Sequence, residues 1–458
     1  MVFSSLLFLF TFLPAVLVLY YVLPRKLKNL LLLLSSLVFY AWGEPVYVLL
    51  MLFSIVVNYL LGFILTESKP ALVLSVVVNI GLLGFFKYAG FFIRIANGLF
   101  GTGFSEPDLV LPIGISFYTF QALSYCIDVY KKKTPVEKNF LYFATYISFF
   151  PQLIAGPIVQ YKDIRSQFSR RKHSFEKFGD GALRFAVGMG KKVIIANNVG
   201  ALFKTIASCD GAHLRIGLTL LAAIAFTLQI YFDFSGYSDM ATGLGKMFGF
   251  RLPENFNYPY TARSVTDFWR RWHMTLSGWF KEYVYIPLGG SKNGLARQLL
   301  STFVVWTLTG FWHGADYNFI IWGLYYCLFL LLEKLVLSRV GFLNVPLINR
   351  IYTLIIVVLG WVIFAYPDLK FGQDFIKVLF SLAPAGENAV SVLFYLKEYA
   401  VFLILGIIGS THLPKKLYDC TGEAVRTVIN VFFMCGVLII SVAMLVTGSY
   451  NPFLYFRF

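Results

Sequence analysis

Few side chains in these 458 residues could do chemistry, and five histidines head them: His173, His213, His273, His313 and His412. His173 and His213 stand in polar, loop-like stretches. His412 follows Ser410-Thr411 and precedes Pro414 at an expected membrane edge. These three read as solvated or capping histidines. His273 and His313 differ. Six of the eight tryptophans, Trp269, Trp272, Trp279, Trp306, Trp312 and Trp322, bracket them. An ionisable group among apolar neighbours in a membrane is a functional-site candidate, and imidazole is the side chain most readily used as a base near neutral pH. A zinc site on His273 and His313 would need further ligands at tighter spacing, which disfavours metal chemistry.

The spacing around His273 reads as helical. Ser264-Val265-Thr266-Asp267 has the form of a capping box. At 100° per residue, Val265, Phe268, Trp269, Trp272, Leu276, Trp279 and Phe280 share one apolar face. Arg270 and Lys281 fall on a flank, with His273 between face and flank. A group there could meet a ligand with an anionic head and a buried reactive end. An interfacial helix whose histidine only touches lipid head groups fits the same spacing. Asp233 and Asp239, in Tyr231-Phe-Asp-Phe-Ser-Gly-Tyr-Ser-Asp239, are acids beside an apolar run. Such acids pair with a base or orient one, and pairing with Arg270, Arg271 or a helix end is the favoured reading. Gly114-Ile-Ser116-Phe-Tyr118 lacks the second glycine of a nucleophile elbow. No phosphate-binding GxxxxGK[ST] loop or HExxH motif occurs.

The elements that must position these residues are membrane helices. Hydrophobic residues make up 58% of the chain and charged residues 14%, with a mean hydropathy of +0.71. A soluble chain carries about 25% charged residues, so this one cannot cover its surface with polar groups. The net charge of +16 would suggest nucleic acid in a soluble domain. Here the basic residues sit in short loops between apolar spans, as the positive-inside pattern and anionic head groups require. No basic stretch stands outside that pattern, which excludes nucleic acid as a partner. Cys126, Cys209, Cys327, Cys420 and Cys435 form no CxxC pair, and most read as inert core cysteines.

A crossing helix needs about 20 apolar residues. Uncharged runs at Pro45–Thr66, Pro70–Phe86, Val110–Ile127, Phe140–Tyr161, Gly217–Phe232, Ile351–Pro367, Tyr399–Pro414 and Thr427–Phe456, with shorter runs beside them, predict about eleven membrane segments. Residues Met1 to Pro24 carry no charge and precede Arg25, Lys26 and Lys28. This order suits a first membrane helix with an extracytoplasmic N-terminus and a cytoplasmic loop, and not a signal peptide. The basic stretch Tyr161–Lys192 reads as loop plus amphipathic surface helix. Gln298–Glu333 is interrupted by Gly310, His313, Gly314 and Asp316, and neither half is comfortably long enough to span alone. Irregular backbone at membrane depth needs protein or water around it, so His313 is expected at a helix break or end, lining a cavity. The fold class is all-α and polytopic. Residues 1–458 form one integral-membrane domain, with N-terminal helices over 1–160, a catalytic core over 161–335 and C-terminal helices over 336–458.

Several segments, in order, resemble the membrane-bound O-acyltransferase family, and within it the branch of the alginate O-acetylation proteins. They are Met1-Val-Phe-Ser-Ser5, Leu111-Pro-Ile-Gly-Ile-Ser-Phe-Tyr118, Phe149-Phe-Pro-Gln-Leu-Ile-Ala-Gly-Pro157, Leu228-Gln-Ile-Tyr-Phe-Asp-Phe-Ser-Gly-Tyr-Ser-Asp-Met240, Phe268-Trp-Arg-Arg-Trp-His-Met-Thr-Leu-Ser277, Pro287-Leu-Gly-Gly290 and Gly310-Phe-Trp-His-Gly-Ala315. They run from the start of the chain to about residue 335. Beyond that, only Gly360-Trp-Val-Ile-Phe364 departs from generic hydrophobicity.

The resemblance implies transmembrane and re-entrant helices around a tunnel, and acyl transfer to an oxygen nucleophile. The family's near-invariant histidine falls on His313, and its second characteristic position on His273. A sister branch moves D-alanine from a carrier protein's phosphopantetheine toward teichoic acid. The wording around Leu153–Pro157 and Asp233–Asp239 is closer to the acetylating branch. Acetyl-CoA is thus the implied co-substrate, with no bound cofactor, and a phosphopantetheine carrier protein is the alternative donor. The implied setting is a bacterial cell membrane, with a cell-surface glycan as acceptor and an extracytoplasmic acetyltransferase as partner. On this reading Arg270 and Arg271 attract the donor's phosphates. Trp269, Trp272 and Trp312 line the cavity, and His313 is the general base. His273 holds the donor or stabilises the oxyanion, with Asp233 and Asp239 in support. A proton-coupled transporter with the histidines as relay and a non-catalytic scaffold are the other classes. No inverted repeat is visible to favour the transporter.

Overall fold

A computed structural model describes residues 1–208, 216–337, 345–366, 372, 377–378, 392–448, 450–452 and 454. His213 and Cys209 lie outside the described residues. All regular elements among these residues are helical. Seven helices are long and apolar enough to cross a bilayer: Tyr47–Ile64, Lys69–Phe100, Ile216–Met247, Tyr317–Leu337, Pro346–Ala365, Val392–Gly409 and Glu423–Thr447. The chain divides into two compact units, Met1–Phe185 with Ser238–Pro253, and Ala186–Tyr237 with Glu254–Phe458.

The first unit opens with a π-helical turn, Phe8–Phe12, that runs into α1 (Leu13–Val22). Pro24 holds extended backbone before α2 (Arg25–Ala41), as its fixed φ and missing N–H require. Then follow α3 (Tyr47–Ile64), α4 (Lys69–Phe100), α5 (Ile115–Tyr130), α6 (Phe140–Ser148), α7 (Phe150–Leu153), α8 (Tyr161–Arg170) and α9 (Phe175–Met189). Ser68 caps α4 by accepting the Ala71 N–H at 3.2 Å. Phe3, Phe8, Phe39 and Phe150 form an aromatic core with neighbouring ring centres 5.0–6.5 Å apart. α3 and α4 turn Leu49, Phe53, Val73 and Val77 outward, the face a bilayer would cover. Between them Asn58 and Asn79 exchange amide hydrogen bonds at 2.7 and 3.2 Å. The uncharged run Phe140–Tyr161 is not one crossing helix. It breaks at Phe149, whose ψ of 105° leaves the helical region, and Pro151, Gly156 and Pro157 keep it from resuming as a span.

The second unit starts with a π-helical stretch, Gly190–Ala196, and α10 (Asn197–Ala207). Next comes α11 (Ile216–Met247), the most deeply buried of the seven long helices. Irregular chain then leads to two short helices, α12 (Val265–Arg271) and α13 (Met274–Phe280), and a π-helical turn, Lys281–Tyr285. α14 (Gly294–His313) and α15 (Tyr317–Leu332) form a tight helical hairpin. α16 (Pro346–Ala365), α17 (Val392–Gly409), α18 (Leu413–Asp419) and α19 (Glu423–Thr447) complete the described helices. Against the sequence expectation, the second half of the Gln298–Glu333 stretch is long enough to span. α15 continues through a π-helical turn, Glu333–Leu337. Of the described cysteines, Cys126 and Cys327 are buried, but Cys420 and Cys435 are exposed, so the core reading holds for only two.

Candidate functional site

The α14–α15 hairpin carries His313. A Cβ at Gly310 would stand 2.5 Å from the Phe319 carbonyl oxygen, and one at Gly323 would overlap the Trp306 carbonyl. Only glycine lets the two backbones come this close. His313 is the last residue of α14, and Gly314 leaves the helix in extended backbone. Asp316 then caps α15, accepting the Tyr317 N–H at 2.8 Å. The expectation of a histidine at a helix end is met. The imidazole is buried and packs edge-on against Trp312 and Trp322, each at 4.9 Å, and Phe364 at 5.3 Å.

His273 does not lie on a continuous helix, as the 100° spacing suggested. The helix stops at Arg271 and restarts at Met274. His273 itself holds φ 44° and ψ 53°, a left-handed conformation that costs a non-glycine residue about 1–3 kcal/mol. Residues 255–257 hold it there. Asn257 donates its N–H to the Arg271 carbonyl at 2.9 Å, and Met274 donates to the Asn255 carbonyl at 3.0 Å. Asn255 Oδ1 lies 3.1 Å from His273 Nδ1 and accepts from the Thr275 N–H at 3.3 Å and Oγ1 at 2.9 Å. A backbone N–H can only donate, so this amide atom is the oxygen. Nδ1 must then carry the hydrogen. Nε2 is left with its lone pair, buried and without a hydrogen-bond partner among the described residues.

The α12 N-terminus is fixed as its sequence proposed, with one difference. Ser264 Oγ accepts the Asp267 N–H at 2.9 Å, but Asp267 reaches back to the Arg263 N–H at 3.1 Å, one residue before the cap. Buried Glu333 adds a carboxylate that accepts from the Val265 N–H at 2.5 Å and the Thr266 N–H at 2.9 Å. Anionic oxygens suit the unsatisfied N–H groups at a helix start.

One indole joins the two histidines. Trp312 packs edge-on against His313 at 4.9 Å and His273 at 5.6 Å. On its other side His273 meets Phe234 at 4.6 Å. Trp269 packs on Trp306 at 4.7 Å and Tyr326 at 4.8 Å, and Trp272 packs on Trp361 at 4.7 Å. The buried Trp269 Nε1, Trp322 Nε1 and Tyr326 Oη have no hydrogen-bond partner among the described residues. Polar atoms of this kind are available to meet a ligand or water.

The other expected residues separate. Arg270 is exposed, and Arg271 pairs with Asp267 at 2.9 Å. The two aspartates pair with neither arginine. Asp233 binds buried Lys192 Nζ at 2.6 Å and accepts the Leu454 N–H at 2.9 Å. Asp239 belongs to the first unit and pairs with Arg184 at 2.6 Å. The bases they use lie 40 and more residues earlier, in the stretch read as a surface helix. His412 is more engaged than a solvated histidine, with its ring 4.1 Å from that of Tyr258. His173 bonds with Tyr20. Sequence reasoning missed Asn255, Phe234, Trp361 and Phe364. The last two stood in Gly360-Trp-Val-Ile-Phe364, the one distinctive stretch of the C-terminal part. Among the described residues no group of three histidine, cysteine or acidic side chains could hold a metal.

Comparison with known proteins agrees with this architecture. The model of the membrane-bound O-acyltransferase family matches residues 135–372. The chain is 42% identical to the probable alginate O-acetylase AlgI of Pseudomonas aeruginosa, over 83% of this chain and 75% of that protein. It is 37% identical to the protein of the same name in Pseudomonas putida, over the whole of both. It is 36% identical to a peptidoglycan O-acetyltransferase of Helicobacter pylori, over 88% of this chain and 83% of that protein. With its buried histidine pair on a scaffold of long apolar helices, the chain belongs to the membrane-bound O-acyltransferase family and is a multi-pass membrane O-acyltransferase.

Proposed function

We propose that the chain moves an acetyl group from acetyl-CoA, on the cytoplasmic side, toward a cell-surface polysaccharide by way of an extracytoplasmic acetyltransferase. The observation that carries this reading is the pair His273 and His313 on one indole, beside Trp269 Nε1 and Trp322 Nε1, which have no hydrogen-bond partner among the described residues. The relatives' names, an alginate and a peptidoglycan O-acetylating protein, support acetyl as the group and a surface glycan as its destination.

His313 takes the proton of the acceptor hydroxyl as its oxygen attacks the thioester carbonyl. The C–S bond breaks, and His313 passes that proton to the departing thiolate. Of the two roles expected of His273, holding the donor or stabilising the oxyanion, its tautomer supports the first. With hydrogen on Nδ1 and a lone pair on Nε2, it accepts a hydrogen bond, from the acceptor hydroxyl or from an amide N–H of the donor arm. Exposed Arg270 is free to meet donor phosphates, whereas Arg271 must first give up Asp267. Trp269 and Trp272 form the aromatic wall. The N-terminus is extracytoplasmic and the Arg25–Lys28 loop cytoplasmic.

The test incubates membranes carrying wild-type or His313→Ala protein with radiolabelled acetyl-CoA. Release or transfer of label by wild type alone supports the reading. Acetyl-CoA untouched by both, with label moving instead from a charged carrier protein, replaces the donor. Full activity in a folded His313→Ala protein removes the mechanism.

A further inference from the structure

In the first unit, the positive charges of Lys28 and Arg171 gather beside His173 without a counter-charge among the described residues. Lys28 stands in the first turn of α2, and Arg171 and His173 lie in the link between α8 and α9. They meet at Tyr20. Its hydroxyl donates to the Phe248 carbonyl at 2.7 Å, accepts from Arg171 Nε at 2.7 Å and lies 2.9 Å from His173 Nε2. The single hydroxyl hydrogen is committed to Phe248, so His173 presents Nε2–H to Tyr20. Lys28 Nζ sits over the Tyr20 and Tyr21 rings at 4.7 and 5.3 Å. Arg171 is clamped by Asn29 Oδ1 at 2.6 Å and lies 4.6 Å from the Phe250 ring centre.

Among the described residues no carboxylate lies within ion-pair distance of Lys28, Arg171 or His173. Lys28 is only 9% exposed. A desolvated ammonium beside a guanidinium is costly unless an anion answers it. Cation–π contact offsets only part of that cost. A second feature lies two residues along the chain. Phe175, two residues beyond His173, is 96% exposed. A lone phenyl ring standing clear of the protein beside Lys172 and Lys177 suits the boundary between head groups and acyl chains.

We infer that Lys28 and Arg171, held in place by Tyr20 and His173, form a binding site for the phosphate of an anionic phospholipid head group, with Phe175 seated in the adjoining lipid. The shared chemistry is a phosphate oxyanion. The exposed ring distinguishes a lipid from a soluble phosphate, which would gain nothing from Phe175.

The full chain, purified in neutral detergent, is titrated with phosphatidylglycerol or phosphatidylcholine and read by native mass spectrometry. The site predicts saturable phosphatidylglycerol binding, preferred over phosphatidylcholine. Lys28→Met keeps the stem on the tyrosine rings and should weaken binding about fivefold, the usual effect of one basic residue near an anionic surface. Phe175→Ser, at a fully exposed position that folding does not need, should weaken lipid binding but not that of inorganic phosphate. Equal binding of both lipids would overturn the site. So would unchanged affinity in a Lys28→Met/Phe175→Ser double variant of wild-type melting temperature. Complete displacement of the lipid by millimolar inorganic phosphate, with no effect of Phe175→Ser, would overturn the lipid assignment in favour of a soluble anion.

Discussion

Asn255 decides which nitrogen of His273 carries the proton. Its Oδ1 lies 3.1 Å from Nδ1, and its amide cannot turn around because the same oxygen also accepts the Thr275 N–H. Asn255→Leu should therefore release the ring from its tautomer and lower the transfer rate about ten- to a hundredfold, the usual effect of losing an orienting partner. Asn255→Asp keeps an acceptor and adds a negative charge, so it should retain more activity and move the acid limb of the pH–rate profile upward. A profile unchanged in both variants would show that Asn255 only packs.

His313→Ala should lower acyl transfer by about 10²–10⁴-fold with little change in melting temperature, as expected for a lost general base. His273→Asn retains a side chain that can accept a hydrogen bond, so its loss should be smaller. Equal losses in the two variants would refute the division of labour proposed here.

Lys192→Met should destabilise the protein by about 3–5 kcal/mol, because it leaves the Asp233 carboxylate buried and uncompensated. The pair is almost fully enclosed, with an N–O distance of 2.6 Å. Lys192→Met combined with Asp233→Leu should recover most of that loss. Thermal melts in one detergent check both, and a double variant as unstable as the single one would show that the pair does more than neutralise itself.

Gly323→Ala should cost about 1–3 kcal/mol, the usual range for overpacking, because its methyl group would overlap the Trp306 carbonyl. The forced separation of α14 and α15 would also move His313, so activity should fall further than stability. Gly278→Ala, where a Cβ meets nothing within 4 Å, is the control and should be neutral.

His173 gives a pH signature. Burial, and then the positive charges of Lys28 and Arg171, push its imidazole down to about 4 from about 6.5 in an unfolded chain. Between those values the unfolded state binds the extra proton, so stability should fall as pH drops from 6.5 toward 4 and level off below that. His173→Gln should flatten this part of a melting-temperature profile. An unchanged slope would place the titration elsewhere.

The membrane class, the helical fold and the two central histidines were legible along the chain, because each rests on local information. Apolar runs exceed a bilayer's thickness, six tryptophans cluster in sequence, and Gly314 and Asp316 mark a helix end beside His313. The run from Val265 to Phe280 misled for an equally physical reason. Its apolar spacing suits a helix, but the bonds from Asn255 and Asn257 open the backbone at His273, and helical periodicity carries no trace of a partner 18 residues away.

Ion pairing was likewise beyond the sequence. Asp233 and Asp239 could have met any of several cations, and the arginines of the aromatic segment were nearest in motif. Packing gave Asp233 to Lys192 and Asp239 to Arg184, because the glycines of α9 and α11 permit close helix approach where a larger residue would not. A Cβ at Gly243 would meet the Gly181 carbonyl oxygen at 2.6 Å.

By itself, then, the sequence determined that this chain lives in a bilayer, is built of helices and places His273 and His313 among tryptophans. Those properties follow from composition and short-range spacing. Only the tertiary structure decided that one indole touches both histidines, that Asn255 sets the tautomer of one, and that Phe364 packs on His313 and Trp361 on Trp272. Such relationships depend on which helix faces meet, and that is settled by packing between segments tens of residues apart.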